Sequence, residues 1–114
     1  MAEAFNLGEV FSKFLEVQRR LSEVQQALST KTVAVEAGGG MVRVTANGLQ
    51  RITRIQVDPE AFRTEDQEVL EDLIAAGVNK ALEEAARMAQ EEMQKTIGAL
   101  LPPGLPLDLS LLGR

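Results

Sequence analysis

Cysteine, histidine, tryptophan and tyrosine are all missing from this 114-residue sequence, and phenylalanine occurs only four times. Without cysteine there are no disulfides, thiolate nucleophiles or thiolate metal sites. Without histidine the commonest general acid/base at neutral pH is gone, and zinc and iron sites lose their usual nitrogen ligand. The chain is therefore expected to be neither an enzyme nor a cofactor or metal protein. No hydrophobic run is long enough to span a membrane, and MAEAFNLGEV has neither the basic start nor the apolar core of a signal peptide. A cytoplasmic protein with no membrane partner is expected. With so few aromatics, the core must come from Leu, Val, Ile, Ala and Met, a composition that suits packed helices.

What is present begins with a periodic segment. Leu7, Val10, Phe14, Val17, Leu21, Val24 and Leu28 follow at alternating spacings of three and four, an apolar seam at the coiled-coil period. Phe11 and Leu15 widen the stripe. Glu9, Glu16 and Glu23 recur on another face, with Lys13 and Arg20 each four residues after a Glu, and each such surface pair is worth about 0.2–0.5 kcal/mol.

From Lys31 the period changes to two. VAVEA alternates, GGG interrupts, MVRVTA alternates again, and LQRITRIQV supplies a third β-rich run, so an antiparallel meander is expected. Asn47-Gly48 suggests a type I′ turn between the second and third strands. Ile52 and Ile55 fall out of strict alternation, which leaves open a bulge or burial on both faces. Asp58-Pro59 ends the third strand.

A second helix is expected from Thr64, spaced from Gln67 as in a capping box, to Ile97, with Gly98 at its end. Its stripe includes Val69, Leu70, Leu73, Ile74, Val78, Ala81, Leu82, Ala85, Ala89, Met93 and Ile97. At about 1.5 Å per residue it would run roughly 50 Å, against a radius of gyration near 13 Å for a compact domain of this size. Two helices that overrun a small sheet leave apolar faces for a second copy, so a homodimer is expected with Leu7, Val10, Phe14, Val17, Leu21, Val24 and Leu28 as its dimerisation seam. Residues 1–98 form the single expected domain. Residues 99–114 form a Pro/Leu-rich tail that is either a packed strap or a flexible peptide.

Three constellations invite chemistry. GGGMVRVTANG (residues 38–48) has the glycines of a phosphate cradle but leads into a strand, without the Lys-Ser/Thr or the dinucleotide spacing, so it reads as a turn. The adjacent pairs Glu71-Asp72, Glu83-Glu84 and Glu91-Glu92 point in different directions on a helix and read as a solvated face. Charge distribution says more, within a net charge of -5: residues 31–57 carry Lys31, Arg43, Arg51 and Arg54 against Glu36 alone, whereas residues 58–98 carry eleven acids against four bases. The arginines of the sheet either meet phosphates or solubilise an exposed face and pair with acids. Spacing alone favours the latter.

The run GGGMVRVTANG, continued by LQRITRIQVDPE and EVLEDLIAAGVNKAL and ending in LPPGL, resembles the YbaB/EbfC family of small bacterial nucleoid-associated proteins over about residues 8–105. The resemblance implies an α+β fold: an α-β-β-β-α subunit, a short three-stranded antiparallel sheet flanked by two long helices, in an intertwined homodimer with projecting arms. It also implies binding of duplex DNA with low sequence selectivity, in the nucleoid, for nucleoid organisation and gene regulation. Family contacts on the projecting helices would map to Lys13, Arg19, Arg20, Lys80, Arg87 and Lys95, and Arg43, Arg51 and Arg54 of the sheet join them as candidates. The first helix departs from the family pattern, being rich in Leu, Val and Phe. The alternative is a dimeric protein-interaction adaptor with little DNA affinity of its own, whose acidic helices and apolar tail recruit another protein.

Overall fold

A computed structural model describes residues 6–100. Along the chain lie helix α1 (Leu7–Thr30), strands β1 (Thr32–Ala37), β2 (Val42–Asn47) and β3 (Ile52–Val57), a single turn α2 (Ala61–Thr64) and the long helix α3 (Gln67–Leu100). The strands form one antiparallel sheet in the order β1-β2-β3, so the α+β architecture read from the sequence is the one observed. The tail from residue 101 onward lies outside the described residues.

Alternation in β2 sets the two faces of the sheet. Val42, Val44 and Ala46 are buried on one side, joined by Val35 of β1. Each fully buried valine contributes about 1.5–3 kcal/mol. α3 lies over this side, and small residues on its inner stripe, Gly77, Ala81 and Ala85, let its axis come close. A Cβ on Gly77 would sit 2.9 Å from Val44 Cγ2, a separation that no real Cβ tolerates. α3 covers β1 and β2 far more than β3.

β3 contains a bulge. Arg54 stands opposite Thr45 and Ile52 opposite Ala46, which leaves Thr53 as the extra residue. Of the two explanations for Ile52 and Ile55, the bulge is correct: it returns both to the inner side of the sheet. Ile55 is still 45% exposed, on the strand that α3 covers least.

The turns fulfil one expectation and overturn another. Gly38, Gly39 and Gly40 have φ of 63°, 64° and 99°, a left-handed run that only glycine adopts without strain, and they close the β1–β2 hairpin. Asn47-Gly48, by contrast, is not a type I′ turn. The loop is three residues long, with Gln50 in the left-handed position at φ 60°, the Asn47 N–H donating to the Arg51 carbonyl and the Gln50 N–H to the Asn47 carbonyl. Asn47 instead works through its side chain. Its Oδ1 accepts from the N–H groups of Leu49 and Arg51, and its Nδ2 donates to the Ser29 carbonyl at the end of α1. Gly48 is required by packing, since a Cβ there would lie 2.6 Å from Leu28 Cδ2.

The second long helix starts later than expected. Thr64 ends α2, its hydroxyl donating to the Glu60 carbonyl, and extended backbone at Glu65 breaks the chain before α3 begins at Gln67. The capping box is therefore not formed. Gly98 does not stop the helix either, which continues to Leu100.

α1 and α3 run antiparallel. Lys31, just after α1, pairs with Glu92, and Arg20 and Val24 face Ala99 and Leu100 across a groove of about 450 Å³. α1 then runs on past the end of α3. The molecule measures 76 × 23 × 18 Å with a radius of gyration of 20.7 Å, well above the ~13 Å of a compact domain of this length. Val17, Leu21 and Val24 are half-buried and Leu28 is buried, whereas Leu7, Val10, Phe11, Phe14 and Leu15 are all at least half exposed. The heptad seam thus splits into a covered half and an open half.

Candidate nucleic-acid interface

The nine basic residues singled out from the sequence fall into two electrostatic settings. Arg43 and Arg54 lie on the outer side of the sheet, opposite Gln56 and Thr45 respectively, and are diagonal neighbours across β2 and β3. Arg51 is at the same end as the hairpin loop, held by the hydrogen bonds between its backbone and Asn47. All three are exposed, and among the described residues none forms an ion pair. Glu36, the single acid in the three strands, stands opposite Arg43 in the register, but its carboxylate leans over the glycine turn, 3.1 Å from where a Cβ on Gly40 would be. Thr32, Ala34, Thr45 and Gln56 complete this outer face of the sheet.

The helical bases are different. Lys13, Arg19 and Arg20 on α1 each have Glu9, Glu16 or Glu23 three or four positions away, and Lys80, Arg87 and Lys95 on α3 have Glu83, Glu84, Glu91 or Glu92 at those spacings. Arg87 Nη1 is 3.4 Å from Glu84 Oε1. Lys80 lies near the same Glu84 and Glu36, beside β1. Arg20 and Lys95 line the α1–α3 groove with Glu23 and Glu92. Among the described residues Arg87 is the one of these six in an ion pair; the others have glutamates at helical spacing on the same helix.

Lys31, counted above with the basic sheet segment, is committed elsewhere. Its ammonium donates to Glu92, and this hydrogen bond, with the attraction between the charges, holds the Glu92 carboxyl below its ordinary value. Nothing in the spacing of residues 31 and 92 announces that pair.

The sheet separates opposite charges. α3, which carries most of the acids of residues 58–98, lies on the inner side, and Arg43 and Arg54 face the other way, with Arg51 exposed at the loop end. Among the described residues there is no cluster of metal-ligating side chains, and no helix is long and apolar enough to cross a membrane. The dimerisation seam divides as described above: Val24 and Leu28 line the α1–α3 groove, Val17 and Leu21 are half-buried, and Leu7, Val10 and Phe14 are exposed.

Comparison with known proteins agrees with this architecture. The chain is 41% identical over 98 residues to a nucleoid-associated protein of Chlorobium luteolum, spanning 86% of this chain and 88% of that one. It is 40% identical over 101 residues to a nucleoid-associated protein of Thermoanaerobacter pseudethanolicus, spanning 89% and 91%. Its fold matches the crystal structure of an uncharacterized protein from Helicobacter pylori with a TM-score of 0.71 at 16% identity, covering 82% of this chain and 98% of that one. The model of the YbaB/EbfC DNA-binding family matches residues 3–100, so nearly all of the described fold is accounted for, and the chain belongs to that family.

Proposed function

We propose that the protein binds duplex DNA as a homodimer, with low sequence selectivity, through phosphate contacts made chiefly by Arg43, Arg51 and Arg54. The carrying observation is the polarity of the sheet: Arg43 and Arg54 on its outer side and Arg51 at the adjoining loop, all exposed and without an ion pair among the described residues, and the acidic helix on the inner side. An overall charge of -5 is then no obstacle, because the acids are directed away from the face that meets DNA. Guanidinium groups suit this task, since they bind phosphate oxygens in a fork and stay charged at any physiological pH. Among the described residues the outer face of the sheet carries no helix to enter the major groove, which supports backbone contact over base reading. Lys13, Arg19, Arg20, Lys80, Arg87 and Lys95 contribute less, each having a glutamate three or four residues away on its own helix. In the cell this activity would serve organisation of the nucleoid and gene regulation.

The second copy is assigned to the β3 side of the molecule. Ile52 and Val57 are half-buried there, Ile55 and Phe62 are exposed, and β3 is an open edge. Joining two copies at this edge brings both sets of arginines to one assembly, doubling the phosphate-binding surface.

A mobility-shift assay on several unrelated duplexes at low salt tests the reading. Comparable shifts on all of them are expected, together with loss of binding in Arg43→Glu/Arg54→Glu and near-normal binding in Lys80→Glu/Arg87→Glu. Binding that survives the sheet variant and fails in the helix variant would move the interface to the helices.

A further inference from the structure

The sheet has a second open edge. β1 has no strand beyond it, and Thr32, Ala34 and Glu36 are exposed along it. Hydrogen bonding fixes which backbone groups point outward. The Gly48 N–H donates to the Lys31 carbonyl, so residues 31 and 48 form a hydrogen-bonded pair, and by the register of β1 on β2 the same holds for Val33, Val35 and Ala37. The N–H and C=O groups of Thr32, Ala34 and Glu36 therefore face away from β2, six backbone groups in a row that can receive another strand. The usual protections of an edge are slight here. β1 contains no proline, lysine or bulge, Ala34 at its centre is small, and its one charge, Glu36, leans over the glycine turn.

We infer that this edge joins another copy of the chain, β1 against β1 and antiparallel, with Ala34 on the two-fold axis. That register pairs all the outward groups, sets Thr32 opposite Glu36 twice and Val33 opposite Val35, and keeps the two Glu36 carboxylates apart, since like charges directly opposite destabilise a strand pair. The helices fit the same arrangement. Gly77 of α3 is close both to Ala37 of β1 and to Val42 and Val44 of β2, so α3 lies over the space between these strands. Two copies then hold their α3 axes two strand spacings apart, about 10 Å, which is a distance at which helices pack. Lys80 and Glu84 border residues 33–36 on the flank of α3 next to β1. The two-fold axis reverses their order, so Lys80 of each copy comes level with Glu84 of the other, and the charges are complementary. Little apolar surface is buried, so the contact is weaker than the one assigned to β3 and forms where copies are crowded. With a self-complementary edge on each side, the sheet continues from copy to copy and carries the face of Arg43 and Arg54 along with it.

The cysteine-free sequence permits a direct test in the full-length protein, at high protein concentration and without DNA, so that the result is independent of the DNA-binding reading. Facing Cα atoms of a hydrogen-bonded antiparallel pair are about 5.5 Å apart, within the reach of a disulfide. Ala34→Cys is expected to oxidise to an interchain disulfide on the order of tenfold faster than Thr32→Cys or Glu36→Cys, whose equivalent residues are displaced by roughly 13 Å along the strands. Thr32→Cys/Glu36→Cys should match Ala34→Cys, because each cysteine then faces the other across the axis. All three side chains are exposed, and an unchanged far-ultraviolet circular dichroism spectrum verifies the fold. Lys80→Glu added to Ala34→Cys should slow oxidation severalfold, and Glu84→Lys added to both should restore it. Equal rates for the three single variants would overturn the proposal. So would Thr32→Cys or Glu36→Cys oxidising faster than Ala34→Cys, or a rate indifferent to Lys80→Glu.

Discussion

Gly77 shows how one missing methyl positions a helix. Alanine at that site improves helix propensity by about 1 kcal/mol, but its Cβ would meet the fully buried, β-branched Val44 at 2.9 Å. Overpacking of a tight core costs about 1–3 kcal/mol, so packing is expected to win. Gly77→Ala should lower the urea midpoint, and a midpoint raised above that of the unaltered protein would show that α3 can lift off the sheet freely. Asn47 teaches a related lesson about reading residues. The Asn-Gly pair correctly marks the hairpin, yet the reason for the two residues is tertiary: the Asn47 side chain ties the loop to Ser29, and Gly48 makes room for Leu28. Local turn preferences carry no trace of either contact, so the turn type was not legible.

Among the elements, the strands and long helices follow from periodicity because burial on one side imposes it. Alternation in β2 and the small residues of α3 make the sheet–helix core legible. The bulge was visible as broken alternation at Ile52 and Ile55, although only the register identifies Thr53 as the extra residue. The break between α2 and α3 was hidden, since Thr64 and Gln67 fit a capping pattern that the backbone does not use. The α1–α3 antiparallel pair was hidden too, because an apolar seam does not say whether its partner is in the same chain. Lys31–Glu92 fastens that pair and gives it a pH dependence. The folded-state pKa of Glu92 is depressed, so its contribution is present above the ordinary carboxylate value and lost as pH falls through the folded value. The stability difference between the unaltered protein and Glu92→Gln, measured by denaturant titration, should therefore shrink on acidification. A gap that widens instead would contradict the assigned pair.

For the molecule as a whole, the decisive property is the segregation of charge. Composition gives the -5 and its uneven distribution along the chain, but only the fold turns α3 and the pair Arg43 and Arg54 to opposite sides of the sheet. The proposed dimer places its second copy at the β3 edge, where Ile55 and Phe62 are exposed. Ile55→Glu should convert the sedimenting species to a monomer while retaining the far-ultraviolet circular dichroism of the fold. A dimer that persists unchanged would remove β3 from the interface. The central claim concerns the arginines themselves, and the salt dependence of DNA affinity tests it most directly. On a plot of log affinity against log salt concentration, each phosphate contact adds about 0.9 to the magnitude of the slope for duplex DNA. The Arg43→Gln/Arg51→Gln/Arg54→Gln variant should have a shallower slope by about that amount for every contact removed, with the loss alike on unrelated sequences. An unchanged slope would place the phosphate contacts elsewhere and contradict the account.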